Sequence, residues 1–318
     1  MYDGRLSVMI QWYEAYSVAG EGEFLSTTAP QLTSIVMVTF YTGAALEDAI
    51  EAVLAQTADV ELILVNNGNS PEVEASLIER FIDEPLVRLL TGHGNIGFAR
   101  GCNLGARMAQ GDRILFLHPD RLLPSDTVAY LYKVEQGLKR PFLIGALLVD
   151  AQGREQNGSR RALLTPKTAM IEALHLGRFF PQSRFKHHER PLPKGLAAVP
   201  AISSAFMYTI KQDFMDLGSF DEGYFLHGAD IDFCLNVRLK GGEIVFVPDL
   251  DVPQIGSVEP ISRTERLWHE KQKALGFSRY FNKNYGPVAA KPLLWALDSA
   301  IWLRYGVKAL LIRLFNKR

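Results

Sequence analysis

The chain has 318 residues, of which 47% are hydrophobic and 22% are charged, as in an ordinary globular protein. Its formal net charge of -1 excludes a global positive field, so no nucleic-acid partner is expected. The two cysteines, Cys102 and Cys234, lie far apart in apolar helical patterns, which predicts buried thiols in a reducing compartment rather than a disulfide. Residues 1–30 contain acidic side chains and no sustained apolar run. We therefore interpret them as an N-terminal extension rather than a secretory signal.

The first half of the chain predicts strands that alternate with helices. Continuous apolar, β-branched runs are typical of strands buried on both faces. They occur at 34–41, 60–70 (where the run breaks into an Asn/Gly loop), 86–90 and 113–120, and helical spacing follows each of the first three runs. Stacked β-α-β units of this kind predict an α/β fold with a single, mainly parallel sheet flanked by helices.

The second half changes character. A basic segment, Arg154–Lys194, precedes a strand-like "AFMYTI", the helical "DIDFCLNVRLKGG" and the strand-like "EIVFVPD". We predict one α/β domain over residues 31–251, with a nucleotide-binding half (31–120) and an acceptor half (121–251). A helical C-terminal segment (252–318) follows it.

The last 28 residues, "KPLLWALDSAIWLRYGVKALLIRLFNKR", are rich in Trp and Leu. Charged residues interrupt the apolar runs too often for a spanning helix. Two interpretations remain open: a terminal helix packed on the domain, or a helix that lies in the membrane interface with its cationic residues near the headgroups.

A Gly-x-Gly-x-x-Gly pattern at Gly92, Gly94 and Gly97 raises the possibility of a dinucleotide site. Its position argues against one, because the fingerprint belongs after the first strand of its fold and this pattern follows the third. A Rossmann-type oxidoreductase is therefore kept only as a less favoured alternative. We interpret Gly92 and Gly94 as loop glycines.

His118 and Asp120 end the fourth strand in the sequence "HPD". Residues i and i+2 of an extended segment face the same side, so both can point into the crevice outside the strand's carboxyl end. That pairing suits a metal ion bound to a diphosphate. The competing interpretation is a capping aspartate in a turn, with His118 filling the rim.

Four stretches, in order, carry a resemblance to a known family: "IVMVTFYTG", "NIGFARGCNLGARMAQGDRILFLHPD", "FDEGYFLHGADIDFCLNVRLKGGEIVFVPD" and, more weakly, "SRYFNKNYG". The sequence resembles the family-2, GT-A-fold glycosyltransferases, particularly the rhamnosyltransferase-like branch. The basic stretch "DAQGREQNGSRRALLTP" is also similar to that branch. The resemblance implies inverting transfer of a sugar, with rhamnose suggested, from a dTDP- or UDP-sugar to a saccharide or lipid-linked acceptor.

The resemblance also implies residue roles. It assigns Asp230 as the general base that takes the acceptor's proton, and Asp120, with His118, as the ligands of a divalent metal, Mn²⁺ or Mg²⁺. The implied acceptor wall contains Asp221, Glu222 and Asp232. Residues implied at the donor nucleotide are Thr39, Tyr41, Asn66, Asn67, Asn95, Gly97, Arg100 and Asn103. Asp230 and Asp232 also start a helix, where an aspartate is favourable without any chemistry, and the two roles are compatible.

Four positions depart from the family's pattern: Asn66, His118, Ala229 and Gln254 stand where an Asp, an Asn or Asp, a Glu and a His are usual. An impaired relative that serves as a partner protein is therefore the main alternative to an active enzyme. The basic segment has three interpretations: a solvated surface loop, a site for RNA or DNA, and a site for the phosphate of a lipid-linked acceptor. The last is favoured over binding of RNA or DNA. The implied pathway is polysaccharide or lipopolysaccharide assembly in the cytoplasm, with peripheral contact to the inner face of the membrane.

Overall fold

The computed structural model describes residues 31–43, 45–156, 158–166, 168–169, 191–256, 262–287, 289 and 291–315. The N-terminal extension over 1–30 and residues 170–190 of the basic segment lie outside the described residues. The predictions made for those two regions therefore stay predictions.

Eight strands form one sheet in the described part of the chain. The four buried runs of the first half form the first four strands. Their bounds and those of the others are β1 Thr33–Thr39, β2 Val60–Asn66, β3 Val87–Leu90, β4 Arg113–Leu117, β5 Phe142–Val149, β6 Ala197–Ala198, β7 Phe206–Ile210 and β8 Glu243–Pro253.

Helices flank the sheet and extend the chain beyond it. In chain order they are α1 Ala45–Leu54, α2 Pro71–Phe81, α3 Phe98–Met108, α4 Thr127–Glu135, α5 Lys211–Asp216, α6 Ala229–Leu239, α7 Arg263–Tyr285 and α8 Lys291–Phe315. The Ser70 side chain caps α2, and a capping box of Ser262 and Glu265 begins α7.

The strand order is β3-β2-β1-β4-β7-β5-β8-β6. Strands β1 to β4 pair in parallel, β5 pairs in parallel with β8, and β7 runs antiparallel between β4 and β5. The prediction of a single, mainly parallel sheet is confirmed. The sequence did not predict β5, although its residues "FLIGALLV" are all buried.

Two hydrophobic layers cover the sheet, one on each face. The helical C-terminal portion belongs to one of them, since Tyr280, Phe281 and Tyr285 of α7 and Leu294 and Leu297 of α8 pack into that layer. Strand β8 continues through Pro253, across the predicted boundary at residue 251, and the domain limits stay a prediction. Both cysteines are buried free thiols, as predicted. In the described part of the chain, no helix is both long enough and apolar enough to cross a membrane.

Candidate active site

The predicted site residues gather at one edge of the sheet. Strands β2 and β3 lie on one side of β1, and β4 lies on the other, so the direction of the connections reverses between β1 and β4. Open α/β sheets bind ligands in the crevice outside the carboxyl ends of the strands at such a switch point. Thr39 ends β1 and His118 follows β4, which places both beside this crevice.

Tyr41, just after β1, is exposed and has a left-handed backbone. Its φ is +50° and 66% of the residue is accessible. Its N–H donates to Asn69 Oδ1 at 2.5 Å, which holds this backbone in place. Thr39, in contrast, is fully buried, and its hydroxyl forms a hydrogen bond with that of Thr42 at 3.0 Å. Strained, exposed residues concentrate at ligand sites, so Tyr41 is available to a ligand whereas Thr39 supports the loop.

Asn66 is buried, and its amide is fully occupied by internal partners. Its Nδ2 donates to Glu74 and to Thr91, each at 3.0 Å, and its Oδ1 accepts from Asn69 at 2.7 Å. The implied contact of Asn66 with a nucleotide is therefore corrected: the side chain holds the loop after β2. Burial and saturated hydrogen bonding leave it no donor or acceptor for a base.

Asn67 and Asn95 join the loops after β2 and β3. Asn67 Nδ2 donates to Asn95 Oδ1 at 3.2 Å, and Asn67 Oδ1 accepts from the Ile96 N–H at 3.0 Å. Asn95 Oδ1 also accepts from the Gly97 N–H at 3.0 Å. Asn95 remains exposed, so it alone of the pair can reach a ligand while it holds the loop.

The space beside Gly97 is occupied by the backbone of Phe225 and not by a nucleotide. Its φ is +87°, and a Cβ there would lie 2.7 Å from the carbonyl oxygen of Phe225. The first N–H of α3, on Phe98, donates to that same oxygen at 2.7 Å. A dinucleotide needs this helix N-terminus for its pyrophosphate. Because Phe225 occupies it, the dinucleotide alternative is wrong. Gly92 and Gly94 have open space around them, as expected for loop glycines.

Arg100 and Asn103, on α3, face the loop after α5 and not the switch point. Asn103 exchanges hydrogen bonds with the Phe220 backbone, at 2.8 Å from Nδ2 and 3.1 Å to Oδ1. Arg100 Nε lies 3.5 Å from Glu222 Oε2, and Arg107 pairs with the other oxygen at 3.6 Å. In this structure Arg100, Asn103 and Glu222 therefore connect α3 to the acceptor half.

Asp120 belongs to a closed ring of polar side chains after β4. Its Oδ1 accepts a hydrogen bond from His118 Nδ1 at 2.6 Å and lies 3.3 Å from Arg121 Nε, and its Oδ2 accepts from Gln254 Nε2. Gln156 closes the ring by accepting from Arg121 and donating to Gln254. Although burial opposes ionisation of Asp120, its hydrogen bond to His118 and the charge of Arg121 lower its pKa. The sequence did not indicate Arg121 or Gln156.

The donor set at this ring fits a divalent cation. His118 is half exposed and Asp120 is ionised, so an imidazole nitrogen and a carboxylate are available together. Across the described residues, no group of three or more His, Cys, Asp and Glu side chains could hold a metal. A magnesium-type ion needs no such group, because one or two carboxylates and the substrate's phosphates commonly bind it. Gln254 stands where the family usually has a metal-binding His, and its side chain donates a hydrogen bond to Asp120.

Asp230 lies in the first turn of α6 and is paired with Arg161. Asp230 Oδ1 accepts from the Ile231 N–H at 2.8 Å, and Oδ2 accepts from Arg161 Nη2. Both side chains are largely buried, 13% exposed for Asp230 and 14% for Arg161. A backbone bridge to Ala201 holds Arg161, which also donates to the Ile202 carbonyl at 3.0 Å. The sequence did not indicate Arg161, although the quoted "GSRRALLTP" contains it.

One short segment connects the two aspartates. Residues 201–205 carry the bridge to Arg161 at one end, and at the other the Ala205 carbonyl accepts from the His118 N–H at 3.0 Å. Phe206 then begins β7 opposite Leu117, the last residue of β4. The candidate base and the candidate metal ligands therefore border the same end of the sheet, on either side of this segment.

Asp221 and Asp232 bind the C-terminal helix α7. Asp232 is buried and accepts from Lys283 Nζ at 2.6 Å and Asn284 Nδ2 at 2.7 Å. Asp221 accepts from Arg279 and Lys283, each at 2.8 Å. Burial opposes ionisation of Asp221, but these two cations lower its pKa to about 2. Asp232 thus holds helices together, and Asp221 remains at the rim.

Comparison with known proteins supports the fold and the family. Residues 34–190 match the family model described as "Glycosyl transferase family 2". The N-acetylglucosaminyl-diphospho-decaprenol L-rhamnosyltransferase of Mycobacterium tuberculosis (strain ATCC 25618 / H37Rv) is 25% identical over 239 residues, which are 69% of this chain and 74% of the relative. Rhamnosyltransferase WbbL of Escherichia coli (strain K12) is 26% identical over 166 residues, 49% of this chain and 59% of the relative.

Two solved structures share the fold at low identity. GalNAc-T7 with UDP, GalNAc and Mn²⁺ matches with a TM-score of 0.56 and 16% identity, over 89% of this chain and 56% of that one. The mannosyltransferase PcManGT from Pyrobaculum calidifontis, in complex with GDP-Man and Mn²⁺, matches with a TM-score of 0.55 and 15% identity, over 97% and 79%. The chain has the GT-A fold predicted from its sequence.

Proposed function

Since the chain carries a glycosyltransferase family 2 domain, we propose that this glycosyltransferase moves a sugar from a nucleotide diphosphate to an acceptor hydroxyl with inversion. The observation that carries the proposal is the placement of Asp120 and Asp230 on either side of residues 201–205, at one end of the sheet. Direct displacement needs a bound leaving group on one side of the anomeric carbon and a base on the other. This edge offers groups suited to both.

Asp230 acts as the base in this proposal. Its carboxylate accepts the acceptor's hydroxyl proton while the oxygen forms its bond to the anomeric carbon. The bond from that carbon to the diphosphate breaks, and the nucleoside diphosphate leaves with the electron pair. Arg161 and the Ile231 N–H each fix one carboxylate oxygen, which holds the group in one orientation while each oxygen keeps accepting capacity.

Asp120 and His118 hold a divalent metal, Mn²⁺ or Mg²⁺, in this proposal. Such an ion, when bound, neutralises charge on the leaving diphosphate. Arg121 adds a buried guanidinium whose Nη1 has no hydrogen-bond partner in the described part of the chain. Tyr41 and Asn95 are exposed members of the implied nucleotide pocket, and in this proposal Tyr41 offers its ring to the base.

We further propose a polysaccharide or lipopolysaccharide role, with rhamnose as the sugar. The support is the similarity to two proteins named rhamnosyltransferases, one of them for a lipid diphosphate-linked acceptor. A cytoplasmic protein that touches the inner membrane face suits such an acceptor. Helix α8 supports this contact: Leu303, Val307, Leu310 and Leu314 form one exposed apolar stripe at helical spacing. Exposed Arg304 and Arg313 flank the stripe, as at an anionic membrane surface.

A thermal-shift panel of nucleoside diphosphates and nucleotide sugars, with and without Mn²⁺ or Mg²⁺, tests the donor site. We expect one nucleotide class to raise the melting temperature of the wild type only when metal is present, and Asp120→Ala to lose that increase. Equal shifts in Asp120→Ala would contradict the metal assignment. Nucleotide binding without turnover on any acceptor would instead favour the impaired partner protein.

A further inference from the structure

A cavity lies outside the donor site, between the loop before α6 and the helices α7 and α8. Its volume is about 470 Å³. His227 lies on the loop side, three residues before Asp230, while Arg266 and Lys273 come from α7 and Lys308 and Leu311 from α8. None of these residues has a role in the donor site described above.

The cavity carries more positive than negative charge. Arg266, Lys273 and Lys308 line it, and Glu270 is the carboxylate among its lining residues. Glu270 pairs with Lys273 at 3.0 Å and with Lys308 at 2.7 Å. Arg266 makes no ion pair with any described residue. The lining therefore attracts an anion, because a cleft with an excess of one charge concentrates the opposite charge.

His227 points to a ligand independently of this charge. Its Nε2 is buried and has no hydrogen-bond partner among the described residues, which is a costly arrangement for a polar atom. Burial and the nearby Lys273 lower its pKa to about 4, so the ring is neutral near pH 7. Helix α7 fixes the loop here, since a Cβ on Gly276 would lie 2.2 Å from the His227 carbonyl oxygen. A neutral imidazole held this way can donate one hydrogen bond to an anion.

The opposite wall is apolar. Leu311 and Ile312 of α8 line the cavity, and the exposed stripe of Leu303, Val307, Leu310 and Leu314 continues along the same helix. An anion alone needs no apolar wall. A phosphate ester with a hydrocarbon chain matches both sides: its charge lies against α7 and its chain follows α8.

We propose that this cavity binds the phosphate of a lipid-linked acceptor, and this inference rests on the proposed function. Phosphate oxygens lie between Arg266, Lys273 and His227, and the hydrocarbon lies along Leu311 and the stripe. The sugar attached to the phosphate then extends toward Asp230, three residues along the chain from His227, where its hydroxyl meets the base. The cavity would make the enzyme select acceptors that carry a phosphate next to the accepting sugar.

The test is calorimetric titration of the full chain with farnesyl diphosphate, while saturating nucleoside diphosphate and Mn²⁺ occupy the donor site. We expect farnesyl diphosphate to bind, with farnesol and inorganic pyrophosphate each at least about 10-fold weaker. Arg266→Gln and Lys273→Gln should each weaken binding by about 10-fold, as for loss of one charge-assisted hydrogen bond. Lys271→Gln, at an exposed position on the same helix that does not line the cavity, should change nothing.

Several outcomes would overturn the inference. They are unchanged affinity in both Arg266→Gln and Lys273→Gln, an equal loss in Lys271→Gln, or displacement of farnesyl diphosphate by the nucleotide. Pyrophosphate that binds as tightly as farnesyl diphosphate would show a free-anion site. Phosphatidylglycerol vesicles provide a further comparison. If Arg266→Gln and Lys273→Gln lost affinity for these vesicles but kept their affinity for farnesyl diphosphate, the cavity would be a site for a lipid headgroup. All of these measurements are binding constants, so they test the cavity without depending on sugar transfer. The proposed sugar transfer is tested separately, by the turnover of Asp230→Asn.

Discussion

Arg161 Nη2 donates a hydrogen bond to Asp230 Oδ2, and both side chains are largely buried. The pair joins residues 69 positions apart, one held by a backbone bridge to Ala201 and the other by the first turn of α6. The guanidinium and the carboxylate form a charge-assisted hydrogen bond, and in the proposed function the carboxylate is also a base held in one orientation.

Removal of the Arg161 guanidinium should impair catalysis more than binding. Without its partner, Asp230 can rotate away from the acceptor, and misplacement by about 1 Å can cost about 10²-fold in rate. We expect Arg161→Ala to lower kcat by about 10- to 100-fold and Arg161→Lys to recover part of it, with nucleotide affinity unchanged. Steady-state kinetics and nucleotide titration measure both. A loss confined to nucleotide affinity would assign Arg161 to the donor instead.

Gly97 and Gly92 form a matched pair, because both have φ near +87°. A Cβ at Gly92 meets open space, whereas one at Gly97 lies 2.7 Å from the Phe225 carbonyl oxygen. Gly92→Ala should lower the free energy of unfolding by about 1 to 2 kcal/mol. Gly97→Ala should cost about 1 to 3 kcal/mol more, since the loop must move. Urea unfolding compares the two, and equal losses would contradict the packing described at Gly97.

Asp221 should make stability depend on acid pH. The cations of α7 lower its pKa to about 2 in the folded chain, against about 3.9 for an unfolded aspartate. A lowered pKa contributes stability above about pH 4, and that contribution is lost as the pH falls toward 2. Between these values, the melting temperature should fall less steeply in Asp221→Asn than in the wild type. Asp83→Asn, at an exposed position after α2, should behave like the wild type.

The apolar stripe of α8 should mediate membrane contact. Leu303→Glu combined with Leu310→Glu should reduce co-sedimentation with anionic vesicles by at least about 10-fold, because each exposed leucine loses about 1.5 to 3 kcal/mol of burial. Arg304→Gln and Arg313→Gln should weaken binding to anionic vesicles and not to neutral ones. Ile82→Glu, at an exposed apolar position after α2, is the control. Vesicle binding unaffected by the double change would contradict this contact.

Much of the fold could be predicted from the sequence, because β1, β2 and β4 are continuous apolar runs bounded by turn residues. β5 is equally buried, and α4 precedes it with buried Val128, Leu131 and Val134 at helical spacing, yet neither element was predicted. Nor does an isolated run show direction, so the antiparallel place of β7 at the centre of the sheet could not be predicted.

The site could be predicted in part. Asp120 was predicted from its place at a strand end, two residues after His118, and Asp230 from the family resemblance, and both roles stay predictions. Arg161 and Arg121 were not found. Each is positioned by a backbone bridge to a residue far away in the sequence, Ala201 for Arg161 and Gln254 for Arg121, and the sequence does not show such bridges. Asn66 was assigned to the nucleotide because the sequence could not show that Glu74, Thr91 and Asn69 use its whole amide.

The most direct test of the proposed function is the turnover of Asp230→Asn beside that of the wild type. The isosteric amide cannot take a proton but can still bond to the Ile231 N–H. Release of nucleoside diphosphate should fall by about 10²- to 10⁴-fold, the usual contribution of a general base, while nucleotide affinity with Mn²⁺ is unchanged. Turnover within a few-fold of the wild type would contradict the proposed function.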